Sequence, residues 1–555
     1  MQDPVVVMRQ ALYGHPDAGG YWEKHCDTGV RKAGFEPIGE CAEWRSCYFN
    51  KKTGVLCVIY VDDFKMAGPE AAVKQAWNDI SHIGGIKITE PESSTNFLGC
   101  KHHVERGCDG VNKITYDMED FLSECCEKYE QLATELGQKV SWVPVETPFI
   151  EENDQEDLSK NAVRDDESGF SCPFCQGVFP KSTLEVVPPG EANRKKKNKK
   201  LDEMLEDKPQ LLPEGRLRPI ATKILMKVFY AARLARFDLL RAVANLARYA
   251  TKWTSEHDKR LMKLMQYVKS SLSYRQVGWI GDDMSKLNLH LYADANFGGD
   301  RGKSTSGVHL TIEGPNTFFP IEASSSAQTS VAHSTPEAEI SAAWTAMRKT
   351  GFPGLIFWEH LKGGKDQKAK PLIPWESNAV PVTSDAPRAH VSTVPAMGAT
   401  AAQKRARIEE GKTRREEQFL QQMGPHLDDP EAILYMHDDN TAMIQVCRTG
   451  RNPTMRTLGR VHGISINAMH EAMFRPDFRL GPIGTKSMCA DIHTKAFPEN
   501  RAAEWCHVRQ NAGVYSPEEL KERLGTPGPG WVNYREMPGK YHQRQLETAE
   551  NNPDT

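Results

Sequence analysis

Apolar positions along this 555-residue chain change period three times. Near the start, Cys47-Tyr48-Phe49, a Lys51-Lys52-Thr53-Gly54 turn and the run Val55 to Val61 make a hairpin signal of β-branched and aromatic residues. Helices are predicted around Ala18–His25 and Ala71–Ile80, with a strand starting in Thr95-Asn96-Phe97-Leu98-Gly99. Over 216–275, Ile224, Val228, Ala231, Leu234 and Ala235 recur at helical spacing, as do Leu261, Leu264, Met265 and Val268. From 286 the period becomes two: Leu287, Leu289 and Leu291 alternate, and so do Val308, Leu310 and Ile312. Pro336 then opens a helix to about Lys349, with Ser334 or Thr335 as N-cap and Glu337 at its positive end. A further apolar strand at Ala432–Met436 leads into structure that continues to about Leu520.

Between these stretches the pattern lapses. Residues 150–215 pass from acidic Glu151–Glu167 to the basic run Arg194-Lys195-Lys196-Lys197-Asn198-Lys199-Lys200, too polar to build a core and expected to be disordered. Residues 362–428 form an insertion rich in Pro, Ala, Lys and Glu, with a charged helix expected over Ala401–Gln422, and 521–555 a loose tail. A prior of roughly 150 residues per domain suggests three or four units. The predicted plan is an α/β and α+β multidomain chain: an α/β unit at 1–135, a linker at 150–215, a helical unit at 216–285, and a second α/β unit at 286–520 carrying the insertion.

Composition narrows the classes. With 70 basic and 74 acidic residues the net charge is −4, so overall charge makes no case for nucleic acid and only local patches can. Thirteen cysteines are scattered through apolar or helical stretches, such as Cys57, Cys125, Cys126 and Cys447, the pattern of reduced thiols in an intracellular protein, cytoplasmic or nuclear. No basic start precedes an apolar stretch, and no run of about 18 apolar residues occurs, so neither secretion nor membrane spanning is expected. Met1-Gln2-Asp3-Pro4 leads almost at once into dense structure, as if a longer protein began upstream. Cys172-Pro173-Phe174-Cys175 has half the ligands of a zinc site and no second pair nearby. Cys100, His102, His103 and Cys108 read as surface and turn residues, and the Arg194–Lys200 run as a solvated linker block rather than a nucleic-acid or nuclear-localisation signal.

Two sets of acids carry the candidate chemistry. In Leu56-Cys57-Val58-Ile59-Tyr60-Val61-Asp62-Asp63-Phe64, a turn at the acid pair exposes Asp62 and Asp63 at a hairpin apex. Paired carboxylates there can hold divalent ions for phosphoryl transfer, although Asp is also common in plain turns. The second set is scattered: Asp294 after Tyr292-Ala293, Glu339 on the helix after Pro336, Asp439 after Met436-His437-Asp438, and Asp491 in Cys489-Ala490-Asp491-Ile492-His493-Thr494-Lys495, which opens the last predicted helix. Singly each is a cap or turn residue.

In their order these motifs resemble Copia-type (Ty1/Copia) retrotransposon polyproteins over roughly 5–130, 216–360 and 430–510. Met8-Arg9-Gln10-Ala11-Leu12-Tyr13-Gly14, Trp22, Gly34-Phe35, Cys47-Tyr48, Tyr60-Val61-Asp62-Asp63 and Asn96-Phe97-Leu98-Gly99 match the reverse transcriptase, whose palm holds two metal ions with three aspartates. By that resemblance Asp62 and Asp63 are two of the three; the third belongs on a strand upstream of residue 1, and Asp3, before Pro4 with no strand ahead of it, does not replace it. His15-Pro16-Asp17-Ala18 also stands where the family carries a Lys-Gln-(Ala/Ser)-Pro run. The palm is therefore partial. Arg236-Phe237-Asp238-Leu239, Ala242-Val243-Ala244 and Leu261–Tyr267 match the helical segment after it. Its basic positions (Arg233, Arg236, Arg241, Arg248, Lys252, Lys259, Arg260, Lys263) read equally as a phosphate-tracking face or a solvated one.

Tyr292-Ala293-Asp294-Ala295-Asn296, Lys303-Ser304-Thr305-Ser306-Gly307, Ser334-Thr335-Pro336-Glu337-Ala338-Glu339, Asp439-Asn440, Gly459-Arg460-Val461-His462 and Ala490-Asp491-Ile492-His493-Thr494-Lys495 match the family's ribonuclease H. The resemblance implies a ribonuclease H-like domain in which Asp294, Glu339, Asp439 and Asp491 bind two Mg2+ (or Mn2+) ions, Asp294 and Asp439 bridging or flanking them, with Glu337 and Asp438 excluded. It implies metal-dependent cleavage of RNA in RNA–DNA hybrids, without polymerisation by this chain alone. The alternative is an inactive or host-retained remnant that binds nucleic acid without catalysis.

Overall fold

The computed structural model describes residues 14–39, 44–92, 96–106, 110–150, 213–298, 303–314, 317–362, 432–451, 459, 463–473, 475 and 477–524, plus the backbone of two short paired strands at 170–171 and 178–179. Within the linker expected to be disordered, the strands 170–171 and 178–179 pair; the rest of its expectation over 151–212, the 362–428 insertion beyond Lys362, the tail beyond 524, Asp3, the Met8–Tyr13 motif, Cys108, Cys172/Cys175 and Arg194–Lys200 lie outside the described residues. Helices and sheets are mixed in an α+β arrangement. Contacts divide the chain into two units, one of 1–91, 354–433 and 470–479, the other of 92–353, 434–469 and 480–555. The stretch 1–135 is thus shared between them.

In the first unit, β1 (Glu36–Pro37), β2 (Cys47–Asn50), β3 (Val55–Tyr60) and β4 (Asp63–Ala67) form an antiparallel sheet in chain order. Alternation along β3 buries Val55, Cys57 and Ile59. They pack with Val30 of helix Ala18–Lys32 and with Ala76 and Ile80 of helix Glu70–His82.

The second unit is organised by a ten-stranded sheet. Its strands are β5 (Asn96–Phe97), β6 (Cys100–Arg106), β7 (Asn112–Asp117), β10 (Arg275–Ile280), β11 (Asn288–Asn296), β12 (Thr305–Gly314), β13 (Thr317–Ala327), β14 (Leu434–Asp438), β15 (Phe478–Pro482) and β16 (Val514–Tyr515), where β8 and β9 are the isolated pair at 170–171 and 178–179. The order is β15-β14-β11-β12-β13-β10-β7-β6-β5, with β16 beside β10. Central β11 is antiparallel to β12 and parallel to β14. It is buried on both faces, as a covered central strand requires.

Leu291 and Ala295 of β11 face helix Thr335–Ala346 and the π-helical turn Met347–Gly351 that follows it. A Cβ on Gly351 would stand 2.8 Å from Leu291, so the missing side chain lets helix and sheet approach. Tyr292, on the other face, packs on Met488, Cys489 and Ala490. Because helix Thr335–Ala346 is covered nearly all round, its apolar residues show no one-sided stripe. Ser334 is its N-cap, accepting from the Glu337 N–H at 3.4 Å.

Helices Glu119–Glu135, Arg218–Leu234, Leu240–Ala247 and Ser255–Ser270 build the apolar core of this unit; of the residues spaced for it, Ile224, Val228, Ala231, Ala235, Leu261, Leu264, Met265 and Val268 are fully buried and Leu234 is partly buried. Two basic positions of this region are buried as well. Arg236 is clamped by Asp238 (2.9 and 2.7 Å), and the Arg241 Nε–H donates to the Thr494 carbonyl at 3.0 Å, so neither serves a solvated or phosphate-tracking face. Asp491 lies in a five-residue 3-10 turn, Cys489–His493, and not at a helix start; the last long helix begins at Ala502. Pro498, in extended backbone, interrupts the helical path between the two.

Among the described residues no helix is long and apolar enough to cross a membrane. The nine described cysteines are free thiols.

Candidate metal centre

Parallel pairing sets the site. Tyr292 of β11 lies level with His437 of β14, so both strands deliver their following acids to the same sheet end. The turn Cys489–His493 brings Asp491 to that end. One carboxylate oxygen each from Asp294, Asp439 and Asp491 then falls within 4.8 Å of the others.

Each acid is fixed by a neighbour. Asp294 Oδ2 accepts from the Thr494 hydroxyl, and Asp439 Oδ2 from the Thr485 hydroxyl at 3.1 Å. Asp491 Oδ2 is paired with Lys495 Nζ at 2.7 Å. The Cys489–Lys495 segment is itself tied down: the Ser325 hydroxyl donates to the His493 carbonyl at 2.6 Å, and Arg241 holds the Thr494 carbonyl. Gly307 of β12, in register with Asp294, leaves the room this segment occupies.

Glu339 stands beside the three, buried on helix Thr335–Ala346 and under the charge of Asp294, Asp438 and Asp439. The Ala295 backbone N–H stabilises both Glu339 and Asp294. Asp438 is fully buried and caps its own turn, accepting from the Asn440 N–H at 2.8 Å. Glu337 also caps, accepting from the His333 N–H at 2.8 Å. The group of three therefore takes Asp439 rather than Asp438, and does not take Glu337.

Burial and mutual repulsion dominate the electrostatics. Burial raises the carboxyl pKa values of Asp294, Glu339, Asp438 and Asp491, and the other acids of the cluster raise them further; Lys495 opposes this at Asp294 and Asp491. Buried oxygens of Asp491 (Oδ1), Glu339 (Oε2) and Asp438 (Oδ2) have no hydrogen-bond partner among the described residues. Like charges crowded in low dielectric, with lone pairs left over, fit a bound cation. An all-oxygen set suits a hard divalent ion, the class that includes Mg2+ and Mn2+, without selecting one.

Asp62 and Asp63 are placed differently. They stand exposed at the tip of the β3–β4 hairpin, where Tyr60 pairs with Asp63. Val61 takes a left-handed φ of 56°, costly for a β-branched residue, and the Trp22 indole N–H donates to its carbonyl at 2.6 Å. Among the described residues no group of three metal-ligating side chains includes either acid.

Residue patterns alone missed the parts played by Thr494, Lys495 and Thr485. The first two stand in the motif around Asp491, but nothing local signals a bond from Thr494 to Asp294 on a distant strand. A scan against protein-family models, a search of curated proteins and a search of solved structures each found no match to this chain.

Proposed function

We propose that this chain is a piece of a Copia-type retrotransposon polyprotein whose second unit cleaves the RNA strand of RNA–DNA hybrids at a ribonuclease H-like centre. The observation that carries this reading is the convergence of Asp294, Asp439 and Asp491, from three distant parts of the chain, at one sheet end beside buried Glu339. A divalent ion bound there supplies Lewis acidity toward a phosphodiester, the chemistry for which Mg2+ or Mn2+ is suited.

The residues do the rest. Asp294, Asp439 and Asp491 would hold the ion, and Glu339 would add an oxygen that has no hydrogen-bond partner among the described residues. Thr494 and Thr485 fix the carboxylates of Asp294 and Asp439, so little ordering is left for the moment of binding. Bare carboxylates repel a phosphodiester, so hybrid and ion are expected to bind cooperatively. The hairpin at Asp62 and Asp63 belongs to a reverse-transcriptase palm in this reading, and we assign it no polymerisation.

The test is hydrolysis of a labelled RNA–DNA hybrid by the full chain in Mg2+, against Asp294→Asn. Wild type should cleave and the variant be slower by at least about 10²-fold. No cleavage by wild type, or cleavage indifferent to Asp294→Asn, overturns the nuclease reading. Hybrid binding without cleavage would favour the non-catalytic nucleic-acid-binding alternative.

A further inference from the structure

The acid cluster contains a cation of its own. Lys495 Nζ lies 2.7 Å from Asp491 Oδ2, and its side chain is 32% exposed where that of Asp491 is 7% exposed. Beyond this ion pair, the carboxylates of Asp294 and Asp439 also act on the ammonium. Lys495 in turn favours the ionised forms of Asp294 and Asp491. Its backbone cannot easily retreat, because Thr494 is held through its hydroxyl by Asp294 and through its carbonyl by Arg241. The flexible four-carbon stem can swing out without moving that backbone, and the partly open side chain has solvent to reach.

We propose that Lys495 is a resident counter-cation, which occupies the carboxylate cluster in the ion-free protein and is turned out toward solvent when a divalent ion enters. Five acids (Asp294, Glu339, Asp438, Asp439, Asp491) act on one another here, and one lysine offsets only part of their repulsion. The ammonium therefore stabilises the empty cluster and competes with the ion for Asp491. A divalent ion and an ammonium a few ångström apart weaken binding by about tenfold or more even in water-like surroundings. The inference rests on the metal-centre reading but not on hybrid cleavage.

The experiment uses the full chain, titrated with Mn2+ and with Mg2+ by calorimetry and melted in EDTA. Lys495→Gln should melt about 2–5 °C lower without ion and bind Mn2+ about tenfold more tightly, while Lys495→Arg should bind Mn2+ as wild type does. Without any substitution, amine-reactive labelling read by mass spectrometry should show Lys495 more reactive once Mg2+ is added, with exposed Lys486 as the internal reference. Unchanged or weaker ion binding by Lys495→Gln, or Lys495 labelling that ignores a bound ion, would overturn the proposal. Ion binding absent from every variant, or undiminished by Asp294→Asn, would instead sink the metal centre itself and the proposal with it.

Discussion

At the scale of single residues, the site depends on an atom that is not there. A Cβ on Gly307 would stand 2.6 Å from Thr494 Cγ2, 2.8 Å from the Ala490 carbonyl and 2.9 Å from His493 Cβ. Two of these neighbours are backbone or next to it, so they cannot move aside without shifting Asp491. Gly307→Ala is expected to cost about 1–3 kcal/mol of unfolding free energy and to weaken divalent-ion binding. Denaturant unfolding and Mn2+ titration on the same variant would check this, and two unchanged values would show that the close approach does not matter. Arg236 illustrates what periodicity hides. Along the sequence it is one basic position among eight, whereas in the fold it is enclosed with Asp238, Tyr267 and Ser271. Helical spacing tells which residues share a face, not which tertiary neighbour covers it.

At the scale of elements, local rules were the readable ones. The Ser334 cap, Pro336 in the first turn, the alternation of Leu289 and Leu291, and the helical stripe through Ile224 and Val228 each depend on residues within one or two turns of each other. The 3-10 turn at Cys489–His493 depends on distant partners, and the helix expected there did not form. The C-terminal elements are held by a charge pair. Arg509 of helix Ala502–Asn511 meets Glu519 of helix Pro517–Leu524 at 2.5 Å and lies 4.4 Å from the Tyr274 ring centre. Burial alone would raise the Glu519 carboxyl, but hydrogen bonds and charge from Arg509 outweigh it and hold the carboxyl down to about 2. A depressed carboxyl contributes stability that is present above its unfolded value and lost as pH falls through its folded one. Acid should therefore loosen this end between about pH 4.5 and pH 2. Glu519→Gln should remove that part of the pH dependence, as hydrogen exchange at Val514 and Tyr515 would reveal.

At the scale of the whole molecule, the order of the acids was legible and their contacts were not. Asp294, Glu339, Asp439 and Asp491 can be picked out along the chain by the order of the motifs around them, although singly each reads as a cap or turn residue. The group of three takes Asp439 and not Asp438, the choice already made along the sequence, at the end of the paired strands β11 and β14. Asp62 and Asp63 stand in the first unit, the four other acids in the second, and each set has to be tested by itself.

The parallel pairing of β11 and β14 has a consequence for any chain cut between 363 and 431. Asp294 and Glu339 would remain on one piece, Asp439 and Asp491 on the other, joined by β-ladder hydrogen bonds, by the packing of Tyr292 on Met488, Cys489 and Ala490, and by the bonds of Thr494 to Asp294 and Arg241. Cutting there should leave two pieces that migrate together and part in denaturant, with ion affinity that becomes concentration-dependent once they part. The metal centre would then be a property of a pair of molecules, and its ion would work as the glue between them.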